Sequence, residues 1–109
     1  MSVEHRYPLL QQGFLKPAVN TKATLAIAGT DSGKAFINTG ATGSTTYDLP
    51  KAAPGLTYRF VETTAQNMVI QPISTDAIRG SSAGTPTTLS GLGQKLLLTC
   101  VIVGFWELF

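Results

Sequence analysis

The sequence predicts an all-β domain: a single antiparallel β-sandwich or small barrel of short strands, with an extended N-terminal arm. Three observations predict it. Short β-forming runs recur at roughly 8–12-residue spacing between clusters of Gly, Pro, Asn and Ser. No long stretch holds a helical period, and no repeat of fixed period appears. Residues 31–50, DSGKAFINTGATGSTTYDLP, show the pattern most plainly: the turns DSG and TGATG bracket KAFIN, and STTYD ends at Leu49-Pro50. Proline cannot donate to a sheet ladder, so that strand stops there.

Taken in order, residues 1–22 read as an arm and residues 23–109 as the β-domain. The arm holds the sole histidine, Pro8 and Pro17, and the irregular apolar set Tyr7, Leu9, Leu10, Phe14 and Leu15. These residues fit neither strict alternation nor a helical stripe. Leaving each large group in water forfeits roughly 1.5–3 kcal/mol, so they must be buried against another chain or folded back over their own sheet. From Ala23 the β pattern begins. TLAIA places Leu25 and Ile27 on one face. KAFIN sets Phe36 opposite Ala35 and Ile37, with Gly33 as a turn residue of positive φ. TTYDL points Tyr47 and Leu49 the same way. AAPGL resets direction, and TYRFVETT turns Tyr58 and Phe60 inward with Thr57, Arg59 and Thr63 outward. MVIQPI ends at Pro72, and residues 74–93 read as loops around short strands near Ala77 to Arg79 and Thr87 to Leu89.

The last segments differ from the rest. QKLLLTCVIV is apolar on both faces, with Leu96, Leu98, Cys100 and Ile102 on one and Leu97, Val101 and Val103 on the other. GFWELF repeats the theme, with Trp106 and Leu108 opposite Phe105 and Phe109. A strand apolar on both faces lies between two layers or at a subunit interface. One face goes to the core; the other needs the arm or a second chain.

Composition narrows the class. The chain has 109 residues, 43% hydrophobic and only 13% charged, about half of the usual ~25%. Its surface is therefore rich in Thr, Ser, Gly and Ala, which suits lasting burial against protein neighbours. A net charge of +2 without any Lys/Arg run lacks the footprint of a nucleic-acid binder. The single Cys100, inside LLLTCVIV, reads as a buried structural thiol. MSVEHRYPLL lacks the apolar core of a signal peptide, and the run from Leu96 to Val103 is too short for a membrane helix. A soluble protein made in the cytoplasm, without membrane contact, is expected.

Reactive constellations are missing. Gly29 to Ala35 is one residue short of a P-loop and has Ala35 where a Ser or Thr must hold magnesium. Gly80-Ser81-Ser82-Ala83-Gly84 matches a nucleophile elbow in letters only, since His5 lies far upstream and TPTTLSG follows instead of a helix. One His and one Cys build no zinc site. Asp31, Asp48, Glu62, Asp76 and Glu107 read as solvated strand-end acids, with Asp76 and Arg79 a local ion pair worth at most about 1 kcal/mol. Tyr58-Arg59-Phe60 alternates across the strand and forms no stacking platform. The chain is expected not to be an enzyme and to need no cofactor or metal.

The string Asp31–Lys34, the NTGAT turn at Asn38, TYDLP from Thr46, GLTYRFV from Gly55, IQP from Ile70, DAIR from Asp76 and the late Trp106 together resemble a small all-β virion module of tailed bacteriophages. The likeness covers residues 23–109 and leaves the arm uncovered. It is closest to capsid decoration (cement) proteins; similar modules occur in tail or fibre proteins, which makes a receptor-binding β module the alternative. With one module and no helical or repetitive shaft, the decoration reading is preferred. The resemblance implies a structural homotrimer on the outer surface of the capsid, bound to the major capsid protein and clamping neighbouring capsomers. On that reading Tyr7, Leu9, Leu10, Phe14 and Leu15 anchor the arm to the shell or clasp a neighbour, and Phe105 and Phe109 form the subunit contact. Ordinary intrachain core is the competing role for both sets.

Overall fold

The computed structural model describes residues 16–109. They form β1 (Lys16–Val19), β2 (Thr24–Ala26), β3 (Lys34–Ile37), β4 (Thr45–Asp48), β5 (Thr57–Val61), β6 (Met68–Gln71), β7 (Ala77–Ile78), β8 (Thr87–Leu89), β9 (Lys95–Ile102) and β10 (Phe105–Leu108), with a short 3-10 turn at Gly29–Asp31. The all-β expectation holds. Within the described residues a strand already stands at Lys16–Val19, ahead of Ala23, where β1 pairs with β3. The arm residues Tyr7, Leu9, Leu10, Phe14 and Leu15 lie outside the described residues.

The strands build two mixed sheets, ordered β1-β3-β5-β9-β10-β7 and β2-β4-β6-β8. This corrects the antiparallel expectation: β1, β3 and β5 run parallel in one sheet, and β2, β4 and β6 run parallel in the other. Parallel neighbours need a long crossover between them. Here the crossover out of each strand of the first sheet carries a strand of the second, so the chain winds as a coil of three rungs. Only after β6 does it pair antiparallel, β8 on β6, β9 on β5 and β10 on β9; β7 closes the first sheet parallel to β10.

The rungs have a sequence signature. Val19-Asn20-Thr21, Ile37-Asn38-Thr39 and Val61-Glu62-Thr63 stand side by side, because Val19 pairs Ile37 and Ile37 pairs Val61. At each, the chain leaves the first sheet through a buried polar residue. Asn38 Oδ1 accepts the Thr63 and Thr64 N–H groups at 2.8 and 3.0 Å, and its Nδ2 donates to the Thr64 and Gln66 carbonyls. Asn20 closes its own turn through both backbone groups of Lys22. The lengths of chain between these triplets differ, so they leave no fixed period.

Alternation along the strands then fills one core. Ala18, Phe36, Phe60 and Leu96 stand in register across four strands, and Cys100, Trp106 and Ile78 across three. Tyr47, Leu49, Met68, Ile70 and Leu89 come from the second sheet or its ends. The sheets meet through aromatic rings: Tyr47 lies edge-on to Phe60 at 5.4 Å between centroids, and Phe36 tilts against Tyr47 at 5.8 Å. Such pairs add roughly 0.5–1.5 kcal/mol beyond the area they bury.

Among the described strands β1 is an edge of its sheet, and Pro17 sits on it. The Asn20 N–H donates to Ile37 O; a parallel strand points alternate residues to opposite neighbours, so Lys16 and Ala18 also face β3 while Pro17 faces away. Among the described residues the missing N–H therefore falls where no ladder partner stands, which spares this edge an unpaired donor.

Candidate functional site

The antiparallel β9–β10 hairpin is where apolar side chains reach the surface in number. Its inner side is sealed: Leu98, Cys100 and Trp106 are buried. Trp106 packs 5.7 Å from Tyr58, centroid to centroid. Its outer side is not. Among the large apolar side chains that stand exposed in the described residues are Val101, Ile102, Val103, Phe105 and Phe109 of this hairpin, and Leu108 is exposed at the end of the inner side, opposite Leu98. The register explains the clustering. Ile102 pairs Phe105 whereas Cys100 pairs Trp106, so Val101 is the extra residue of a β-bulge. The bulge breaks the alternation and turns Ile102 to the same side as Phe105. This corrects the expectation that Ile102 shares the buried face with Leu96, Leu98 and Cys100: it is 55% exposed. The turn closes at Gly104, whose φ of 88° is a conformation that side chains with a Cβ rarely adopt.

Both residues expected at a subunit contact lie on this surface, Phe105 at 39% and Phe109 at 74% exposure. Phe109 extends the hairpin, its N–H donating to Leu97 O at 2.9 Å. Beside Phe105 sits a polar clamp that sequence reading misassigned. Arg79 does not pair with Asp76; its Nε and Nη2 donate to Glu107 Oε1 and Oε2 at 3.1 and 2.6 Å. The guanidinium also lies 4.6 Å from the Phe105 ring centroid. The parallel β10–β7 pairing brings them together, with Phe105 beside Ala77 and Trp106 beside Ile78, which carries Arg79 alongside Glu107. The Glu107 carboxyl is held below the ordinary carboxylate range chiefly by the Arg79 hydrogen bonds, which outweigh an opposing desolvation, with a lesser contribution from the Arg79 charge. Asp76 and Glu62 are buried rather than solvated, and Asp76 accepts the Ala52 N–H at 2.7 Å. It fixes the loop before β5 against the start of β7.

The remaining polar candidates have structural partners. Lys34 opens β3, not a helix, and its Nζ lies 2.7 Å from Asp31 Oδ1. Asp31 also accepts the Ala28 N–H at 2.9 Å; these two hydrogen bonds lower its pKa. Gly80 to Gly84 leads toward strand β8, with Ser82 and Thr85 hydroxyls 3.0 Å apart. Burial pushes the Cys100 thiol up, and nearby Asp76 and Glu107 add to it; Sγ donates to Ile102 O at 3.2 Å. Among the described residues no group of three His, Cys, Asp or Glu side chains could hold a metal ion, and no helix is long and apolar enough to cross a membrane.

No known protein family matches the chain, and no curated protein matches it.

Proposed function

We propose that the chain is a capsid decoration (cement) protein of a tailed bacteriophage, a β-sandwich with an N-terminal arm. It binds the outer surface of the head as a homotrimer and stabilises the shell by bridging neighbouring subunits of the major capsid protein. The observation that carries the reading is the apolar strip of Val101, Ile102, Phe105 and Phe109 on the last hairpin of a chain with few charges. Each such group gains roughly 1.5–3 kcal/mol when a neighbour covers it, so a second copy is the economical partner. The phage-module motifs from Asp31 to Trp106 support the viral setting.

The mechanism on this reading is mechanical. Three copies held at Phe105 and Phe109 present three shell-binding segments at once, the role assigned to Tyr7, Leu9, Leu10, Phe14 and Leu15. Linking weak grips raises avidity about 10²–10⁴-fold without a new kind of contact. A ligand that binds only the assembled shell stabilises that state. The test is light scattering of the purified protein followed by sedimentation with empty phage shells. A trimer that pellets with shells is expected; a protein that stays monomeric and never pellets with them overturns the reading.

A further inference from the structure

We infer that Arg79, braced by Glu107, is the residue that presents Phe105 to a second copy of this chain. The inference rests on reading the hairpin as the place where copies meet. Two parallel N–H···O bonds fix a guanidinium plane far better than one, and Arg79 makes both to Glu107, at 3.1 and 2.6 Å. With the plane fixed, its centre stands 4.6 Å from the Phe105 centroid and occupies one face of the ring. The Phe105 side chain remains 39% exposed, and Ile102, its partner across the hairpin, is exposed as well. A ring held this way meets its partner already ordered.

The pairing also decides what can cover the strip. Arg79 and Glu107 neutralise each other on adjacent strands, so an apolar surface can close over Phe105 without stranding a charge. An uncompensated Arg at that place would resist such burial. The surface thus fits the mostly uncharged exterior of another copy rather than an acidic partner, which would have to compete with Glu107 for the fork.

Ordering a side chain at an interface weakens association by roughly two- to tenfold when it is not done beforehand. Arg79→Lys keeps the charge but loses the planar fork. Sedimentation equilibrium on the full chain, on Arg79→Lys and on Glu107→Gln is expected to show self-association weakened two- to tenfold, with Phe105→Ala weaker still and the unfolding midpoints of the first two near that of the parent. Proton NMR is expected to show the Arg79 δ-methylene shifted upfield by the Phe105 ring current, and less so in Glu107→Gln. If Arg79→Lys and Glu107→Gln associate like the parent while Phe105→Ala does not, Arg79 has no presenting role, though the contact between copies stands. Loss of association in step with loss of thermal stability would mean that Arg79 merely ties β7 to β10. A parent chain that is monomeric at every concentration removes both this inference and the reading beneath it.

Discussion

At the scale of single residues, two buried polar groups make sharp predictions. Tyr58 is fully buried and its hydroxyl donates to Ala28 O at 2.9 Å. Burial, assisted by the charge of Asp31, pushes its pKa up to about 12. A raised acid pKa means that the folded state keeps the proton longer than the unfolded chain. The contribution is whole below the ordinary tyrosine value of about 10 and is lost as pH rises through about 12. Denaturant melts across that window are expected to show an alkaline loss that Tyr58→Phe flattens, at a cost of about 1 kcal/mol near neutrality for the missing hydrogen bond. Asp76 is the second case. Asp76→Ala leaves the buried Ala52 N–H without its acceptor, so a loss of about 2 kcal/mol in unfolding free energy is expected. A change within a few tenths of a kcal/mol would show that the loop before β5 does not depend on this carboxylate.

At the scale of elements, the rung turns and the last hairpin matter most. Asn38 ties the turn after β3 to the turn after β5 through four side-chain bonds to backbone and a fifth to the Thr63 hydroxyl. Asn38→Ala should lower stability by about 2 kcal/mol or more, and amide exchange should quicken first at Thr63 and Thr64, whose N–H groups lose their acceptor. Uniform exchange across the sheet would contradict a local role. The strand interiors were legible from alternation: Phe36, Tyr47, Leu49, Tyr58, Phe60 and Leu98 face the core as their spacing requires. Gly33 takes the positive φ expected of its turn. The exception is Ile102, displaced by the bulge at Val101. Nothing in a uniformly apolar run marks which residue is the extra one.

At the scale of the whole molecule, the apolar strip makes the prediction. Phe105→Ser combined with Phe109→Ser should abolish self-association measured by sedimentation, with little loss of fold because both side chains project from the surface. An associating double variant would place the contact elsewhere on the chain. The strip was half legible: both sides of the late strands are apolar in sequence, and the structure seals one of them with Leu98, Cys100 and Trp106 while leaving Phe105 and Phe109 outside. Arg79 as the clamp of Phe105 was not legible. Its partner Glu107 is remote along the chain, whereas Asp76 is near and carries the same charge.

The sequence alone determined most strands from β2 onward, which side of most of them is greasy, and where the chain must turn, since all three depend on neighbours a few positions apart. Strand β1, at Lys16–Val19, fell inside the stretch read as an arm. Only the tertiary structure decided that the first six strands wind in parallel and that Val19, Ile37 and Val61 stand side by side. Pairing between distant strands is chosen by which arrangement buries both inner faces at once, and that condition involves the whole chain together.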